Sequence, residues 1–256
     1  MKQKKKKKQN IGIGIVFILL IVFVILTSLI LKIFDVYLKS SFDGKNNFNI
    51  SHLGSGGWEV ISLSPKDNSI AILNIKTSDN KKFVNLRIPE DLNLTSSEDA
   101  ASGNVKNVLR SILSSEDANI FDILKINLFL NSVQPRSIND LEIDIDDERV
   151  YGVISESLSN QTFLSEKLTI ELINSTGETG VGSNVARFIT NLGGNVILVN
   201  TGGKVEPTSR IYTQKKKAET VKKIQKLLAA EIDSASQPAL SDVKIVIGRD
   251  LTERFK

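Results

Sequence analysis

Leu168-Thr-Ile-Glu-Leu-Ile-Asn174-Ser-Thr-Gly177-Glu-Thr-Gly180-Val-Gly182, continued by a helical period through Leu192 and by Asn195-Val-Ile-Leu-Val199, sets the fold class of this 256-residue chain. The segment 168–173 is rich in β-branched and apolar residues and reads as a strand. A glycine-rich loop follows, and Val185, Phe188, Ile189 and Leu192 then recur at helical spacing. Gly193-Gly194 is the helix C-terminus, because glycine accepts the left-handed conformation that ends helices. Val196 to Val199 is the next strand. Strand, glycine loop, helix and strand in close succession describe a sheet with a helix packed on it.

Downstream the pattern stays clean. Arg210 to Thr213 is a short strand, and Ala218, Val221, Ile224, Leu227 and Leu228 mark an amphipathic helix. Asp242 to Gly248 closes with a strand. The order strand-helix-strand-strand-helix-strand over 168–251 predicts an α+β domain, one mixed sheet with its helices on one face. Lys215, Lys216, Lys217, Lys222, Lys223 and Lys226 read as the wet face of the second helix. The loop itself resembles a nucleotide-binding turn, in which backbone N–H groups at a helix N-terminus hold phosphate. The match is incomplete: Val185 stands where the third glycine belongs, and the next strand ends in Asn200 without a ribose-binding acid. The glycines therefore serve turn geometry first. Asn174, Gly177, Gly180 and Gly182 are the candidate binding residues for an anion or a glycan. Nothing in the pattern calls for a cofactor.

The other end of the chain fixes its setting. Lys4, Lys5, Lys6, Lys7 and Lys8 form a basic tail over residues 1–10, and an uncharged apolar run fills 11–31. About 20 apolar residues cross a ~30 Å hydrocarbon core as a helix. The run is longer than a signal-peptide core and is not followed by a small-residue cleavage site, so a retained anchor is expected. The lysine cluster predicts a cytoplasmic N-terminus, with anionic headgroups under the tail and the bulk of the chain on the far side. That makes a single-pass protein of the cell membrane, with the lipid bilayer as its first partner.

Between anchor and C-terminal domain the reading is coarser. Residues 32–56, broken by Gly44, Gly54, Gly56 and Gly57, read as a stalk. Residues 57–154 read as a small mixed α/β region: strands at Trp58–Leu63, Ile70–Ile75 and Phe83–Ile88, helices at 97–113 and 118–131, and an acidic edge strand from Leu141 to Val153. Residues 155–167 read as a polar linker. His52, the single histidine, is expected on the surface of the stalk. The absence of cysteine excludes disulfides, thiolate metal sites and a cysteine nucleophile, and one histidine excludes His-pair metal sites. No metal site is expected. The net charge of +4 comes from the N-terminal lysines, which leaves the outer part slightly acidic and without a nucleic-acid footprint.

The motifs of 168–250 resemble those of the C-terminal domain of LytR-type cell-envelope proteins. They are the strand ending in Asn174-Ser-Thr-Gly177, the Gly180 helix, Asn195–Val199, Ser209-Arg-Ile-Tyr212, and the closing Gly248-Arg-Asp250. The resemblance departs where Val181-Gly182 replaces Leu-Ala. It implies a bacterial envelope protein whose partner is a cell-wall glycopolymer or another envelope protein. That family's companion, the LytR-CpsA-Psr catalytic domain, transfers lipid-linked glycopolymers to peptidoglycan. Phe48 to Leu92 is similar to its opening strands, and Ile88-Pro89-Glu90-Asp91 to its Ile-Pro-Arg-Asp motif, with Glu90 in place of a phosphate-binding arginine. The expected function is therefore extracytoplasmic binding or scaffolding without catalysis. A divergent glycopolymer transferase, which an arginine pair at Arg87 and Arg110 would favour, and a structural subunit of a membrane complex are the alternatives.

Overall fold

The computed structural model describes residues 11–54, 56–77, 79–94, 119–147, 149–234 and 240–256. The lysine tail, the expected helix at 97–113 and Arg110 lie outside them. Helix α1 (Ile11–Leu38) is 28 residues long, and its stretch Gly14–Leu38, 25 residues with a mean hydropathy of 3.2 over an 18-residue window, is long and apolar enough to cross a membrane. The helix runs past Leu31, where the uncharged run ends, through Lys32, a good helix former, and Asp35 pairs with Lys39 one turn on, at 2.8 Å.

No stalk follows. Residues 40–42 turn into the fold, and Phe42 is buried in its core. Strand β1 (Phe48–Gly54) pairs antiparallel with β2 (Gly57–Ser64), and β2 with β3 (Ser69–Ile75). The meander expected here is present but displaced by one strand: its first member is β1. The third expected strand, Phe83–Ile88, is instead helix α2 (Asn80–Asn85) and its exit. Asp79 caps it by accepting from the Lys81 N–H at 2.8 Å, and Phe83 and Leu86 are buried three residues apart while Val84 faces water. Two parallel strands complete the sheet, β4 (Leu92–Leu94) beside β1 and β5 (Ile138–Ile143) beside β3, in the order β4-β1-β2-β3-β5.

Both faces of this sheet are covered. Phe48, Ile50, Ile61, Leu63, Ile70 and Ile72 pack under Phe42 and Ile126 of helix α3 (Ile120–Ser132). Trp58, Val60, Leu73 and Ile75 pack under Phe83, Leu86 and the Val150, Ile154 and Leu158 ridge of helix α4 (Val150–Leu158). The acidic run is an edge strand only as far as Ile143. Asp144 to Asp147 form a turn, and the segment from Val150 is helical. His52 lies on β1 opposite Glu59 and is buried. Its expected place on a surface stalk is corrected with the stalk itself.

The expected linker is also structured. Helix α4 ends at Leu158, and helix α5 (Gln161–Glu166) starts after Asn160, which accepts from the Thr162 N–H at 3.0 Å. Then come β6 (Thr169–Asn174), α6 (Val181–Asn191), β7 (Asn195–Thr201), β8 (Arg210–Thr213), α7 (Glu219–Leu228), β9 (Glu231–Ser234) and β10 (Val243–Ile247), with a short closing helix α8 (Thr252–Phe255). The second sheet has the order β7-β6-β10-β8-β9. The α+β class and the expected succession are present, with β9 as an unforeseen edge strand, parallel to β8. Along β10, Val243, Ile245 and Ile247 are fully buried under α6 and α7 while Lys244 and Val246 are half-exposed.

Candidate functional site

The four residues singled out in the glycine loop line one hollow of about 320 Å³, together with Thr179, Ser183, Thr201 and Lys204. Strand β6 delivers Asn174 to the lip of the sheet, and the loop then reverses into α6. Asn174 is mostly spent on the loop itself. Its side-chain carbonyl accepts from the Thr176 hydroxyl at 2.7 Å, and its amide donates to the Glu178 carbonyl at 2.8 Å. Glu178 N–H in turn donates to the Thr176 hydroxyl at 3.0 Å. Gly177 and Gly180 have φ of +83° and +89°, a conformation that side chains with a Cβ adopt at a cost. Gly182 fills a different need: a Cβ there would stand 2.9 Å from Asn174 Cβ. The loop is thus a rigid cradle of backbone, and Gly180, at the start of α6, offers no side chain to the first helical N–H groups.

The charges at the rim are paired. Lys204 meets Glu206 at 3.5 Å, and Lys256 meets Glu178 at 3.1 Å. Hydroxyls, side-chain amides and backbone groups of Thr179, Ser183, Asn200 and Thr201 dominate the rest. Such a lining matches the donors and acceptors of a sugar better than the concentrated charge of a pyrophosphate.

A second hollow, about 410 Å³, lies where the two sheets meet, between Trp58, Phe83, Arg87, Phe188, Arg254 and Phe255. Trp58 stacks on Phe83 at 3.9 Å between ring centroids. An arginine pair at Arg87 and Arg110 is the feature that would favour the transferase alternative; Arg110 lies outside the described residues, and Arg87 has other work. Arg87 is buried with φ +53°. Its guanidinium donates to the carbonyls of Arg254 at 3.1 Å, Phe255 at 3.2 Å and Lys256 at 2.9 Å. Burial, helped by the charge of Arg187, pulls its pKa below the ordinary arginine value. Asn191 adds two donations, to the carbonyls of Leu86 at 2.8 Å and Arg87 at 3.0 Å. The junction is a hydrogen-bonded seam. No spacing in the sequence announces it, since the partners are some 100 to 170 residues apart.

The lysines of α7 do not share one environment. Lys222 and Lys226 are exposed, whereas Lys223 is half-buried. Burial lowers the pKa of Lys223, opposed by the charges of Asp91 and Asp43. Burial likewise raises Asp91, opposed by Lys223.

The family signature at the end of the domain also has a structural meaning. Asp250 accepts from the Ser209 N–H at 3.0 Å and its hydroxyl at 2.8 Å, and Ser209 Oγ accepts from the Gly248 N–H at 2.9 Å. Gly248 is required because a Cβ would run into the Thr208 backbone. Residues 167–251 match the family model described as LytR cell envelope-related transcriptional attenuator. No curated protein and no solved structure was found to match the chain. The match identifies residues 167–251 as a domain of the LytR C-terminal family and points to a cell-envelope-related protein.

Proposed function

We propose that this chain is a membrane-anchored, extracytoplasmic protein of the cell envelope that binds a cell-wall glycan in the Gly177–Gly182 hollow and does not transform it. The carrying observation is the hollow: a rigid backbone cradle with paired rim charges and a hydroxyl- and amide-rich lining. The anchor reading rests on α1 and on the lysine cluster that precedes it, which favours a cytoplasmic N-terminus. The non-catalytic reading is supported by Glu90 at the position where the transferase motif has arginine, and by Arg87, whose guanidinium is engaged by three main-chain carbonyls. Transfer of a lipid-linked pyrophosphate needs cationic groups aimed at the developing charge.

The test is binding of fluorescent peptidoglycan fragments to spheroplasts that carry the chain. Binding should occur without opening the membrane and should vanish after external protease. Thr179→Trp, at an exposed loop position, fills the hollow and should weaken binding at least ~10-fold, or about 1.4 kcal/mol. Binding only after permeabilisation would overturn the orientation. Unchanged binding by the Trp variant would move the site elsewhere.

A further inference from the structure

Helix α3 carries an outward face of an unusual kind. Ile120, Leu124 and Leu128, spaced four residues apart, are 62%, 53% and 72% exposed. Asn127 and Asn131 complete that face, and no charged residue stands on it. The two charges of the helix are turned inward. Asp122 accepts from Ser40 Oγ at 2.6 Å, Ser41 N at 3.1 Å and Phe42 N at 2.7 Å. Lys125 donates to Ser40 Oγ at 2.8 Å and lies 4.7 Å from the centre of the Tyr37 ring. A helix exposed to water on this face would ordinarily carry charge there.

The same contacts say where α3 stands. Asn119 donates to the Val36 carbonyl at 2.6 Å, and Phe121 meets Tyr37 edge-on at 5.5 Å. These are the last turns of α1. If the uncharged run ending at Leu31 fills the hydrocarbon, Val36 is five residues further along the helix, a rise of about 7–8 Å. The headgroup zone is roughly 5–7 Å deep on each side of the hydrocarbon. The start of α3 is therefore fastened at the outer edge of the headgroup zone, which side chains standing about 5–6 Å from the helix axis reach into, and the Asp122 clasp on residues 40–42 fixes the elbow between the two helices.

We infer that the exposed face of α3 lies on the outer surface of the bilayer, with Ile120, Leu124 and Leu128 entering the boundary between headgroups and acyl chains. This rests on the reading of α1 as a membrane-crossing helix. The consequence is that the outer module sits against the membrane in one orientation and does not swing on a tether.

The chain contains no cysteine, so single spin labels can be placed without a background. The full chain is reconstituted into vesicles of phosphatidylethanolamine and phosphatidylglycerol with labels in Leu124→Cys, in Val22→Cys within α1, and in Lys216→Cys on an exposed loop. Collision rates are read with oxygen, which concentrates in lipid, and with a water-soluble nickel chelate. For the Leu124 label the oxygen-to-nickel ratio should rise well above that of the Lys216 label and approach that of the Val22 label. A ratio equal to the Lys216 value, with Val22 deep in lipid, would overturn the surface docking and leave the anchor standing. Low collision with both reagents at 124 would mean that protein covers the face, and would overturn it too. An aqueous Val22 label would remove the anchor and this inference together.

Discussion

Asp242 shows how much a single side chain organises. It stands just before β10, and one carboxylate oxygen accepts from both the N–H and the hydroxyl of Thr169 at 3.0 Å each, at the start of β6. Lys215, beyond the end of β8, meets the other oxygen at 2.8 Å. Three strands are thereby tied at one end of the sheet. The Lys215 hydrogen bond, followed by that from the Thr169 backbone, holds the carboxyl at about 2, below the usual 3.8. A depressed acid contributes stability above its unfolded value and loses that contribution as the pH falls through its folded value. The window is therefore pH 4 down to about 2. The side chain is partly exposed and solvent screens the pair, so its contribution is roughly 1 kcal/mol. Thermal unfolding of the detergent-solubilised chain, followed by circular dichroism, should show a steeper loss of Tm across this window for the wild type than for Asp242→Asn. Parallel curves would remove Asp242 as the acid-sensitive group. At the opposite end of the same strand, Asp250 does similar work on Ser209.

Among the elements, α2 and the segment 249–256 are joined by Arg87. Its fork reaches three carbonyls from two separate nitrogens, a spread that a single ammonium nitrogen does not reproduce. Hydrogen bonds to charged groups contribute about 1.5–3 kcal/mol, so Arg87→Ala should destabilise the junction by that order and Arg87→Lys should restore only part. Amide hydrogen exchange of residues 249–256 is the measurement; exchange unchanged in Arg87→Ala would show that the tail is held by its apolar contacts alone. This junction was hidden in the sequence, where Arg87 enters only beside Arg110, as a pair that would favour a transferase. The C-terminal elements were legible because each helix there carries a clean apolar stripe and each longer strand a β-branched run. The strand assigned to 83–88 failed because six residues are too few to separate a period of two from a period of 3.6, and the burial of Phe83 and Leu86 decides for the helix. Residues 48–54 read as a stalk because Asn49, Ser51 and His52 are polar, yet all three are buried in a sheet covered on both sides. Of the glycine hollow, the loop itself was visible in the sequence. Its opposite wall, from Thr201 to Val205, was not.

At the scale of the molecule, the decisive place is the passage from α4 to α5. Ile154 and Leu158 belong to the core of the first sheet, and Phe163 to the core of the second. Ser159 and Asn160 are buried between them, and Asn160 N–H donates to the Leu192 carbonyl at 2.9 Å. The physical edge of the second unit therefore lies near Ser159, several residues before the family match begins at 167. Helix α5 supplies more than a connection. Phe163 is 2% exposed, and deleting a buried phenylalanine typically costs about 3–5 kcal/mol. Glu166 accepts from the N–H groups of Glu219 at 3.0 Å and Thr220 at 2.9 Å, so it caps α7 from another element, a service of about 1 kcal/mol. Against a domain stability of roughly 5–15 kcal/mol, these losses are large. A fragment of residues 160–256 should thus unfold cooperatively, while one of residues 168–256 should melt far lower or remain partly unfolded. Calorimetry on the two fragments decides it. Equal melting temperatures would show that α5 is dispensable and that the unit begins at β6.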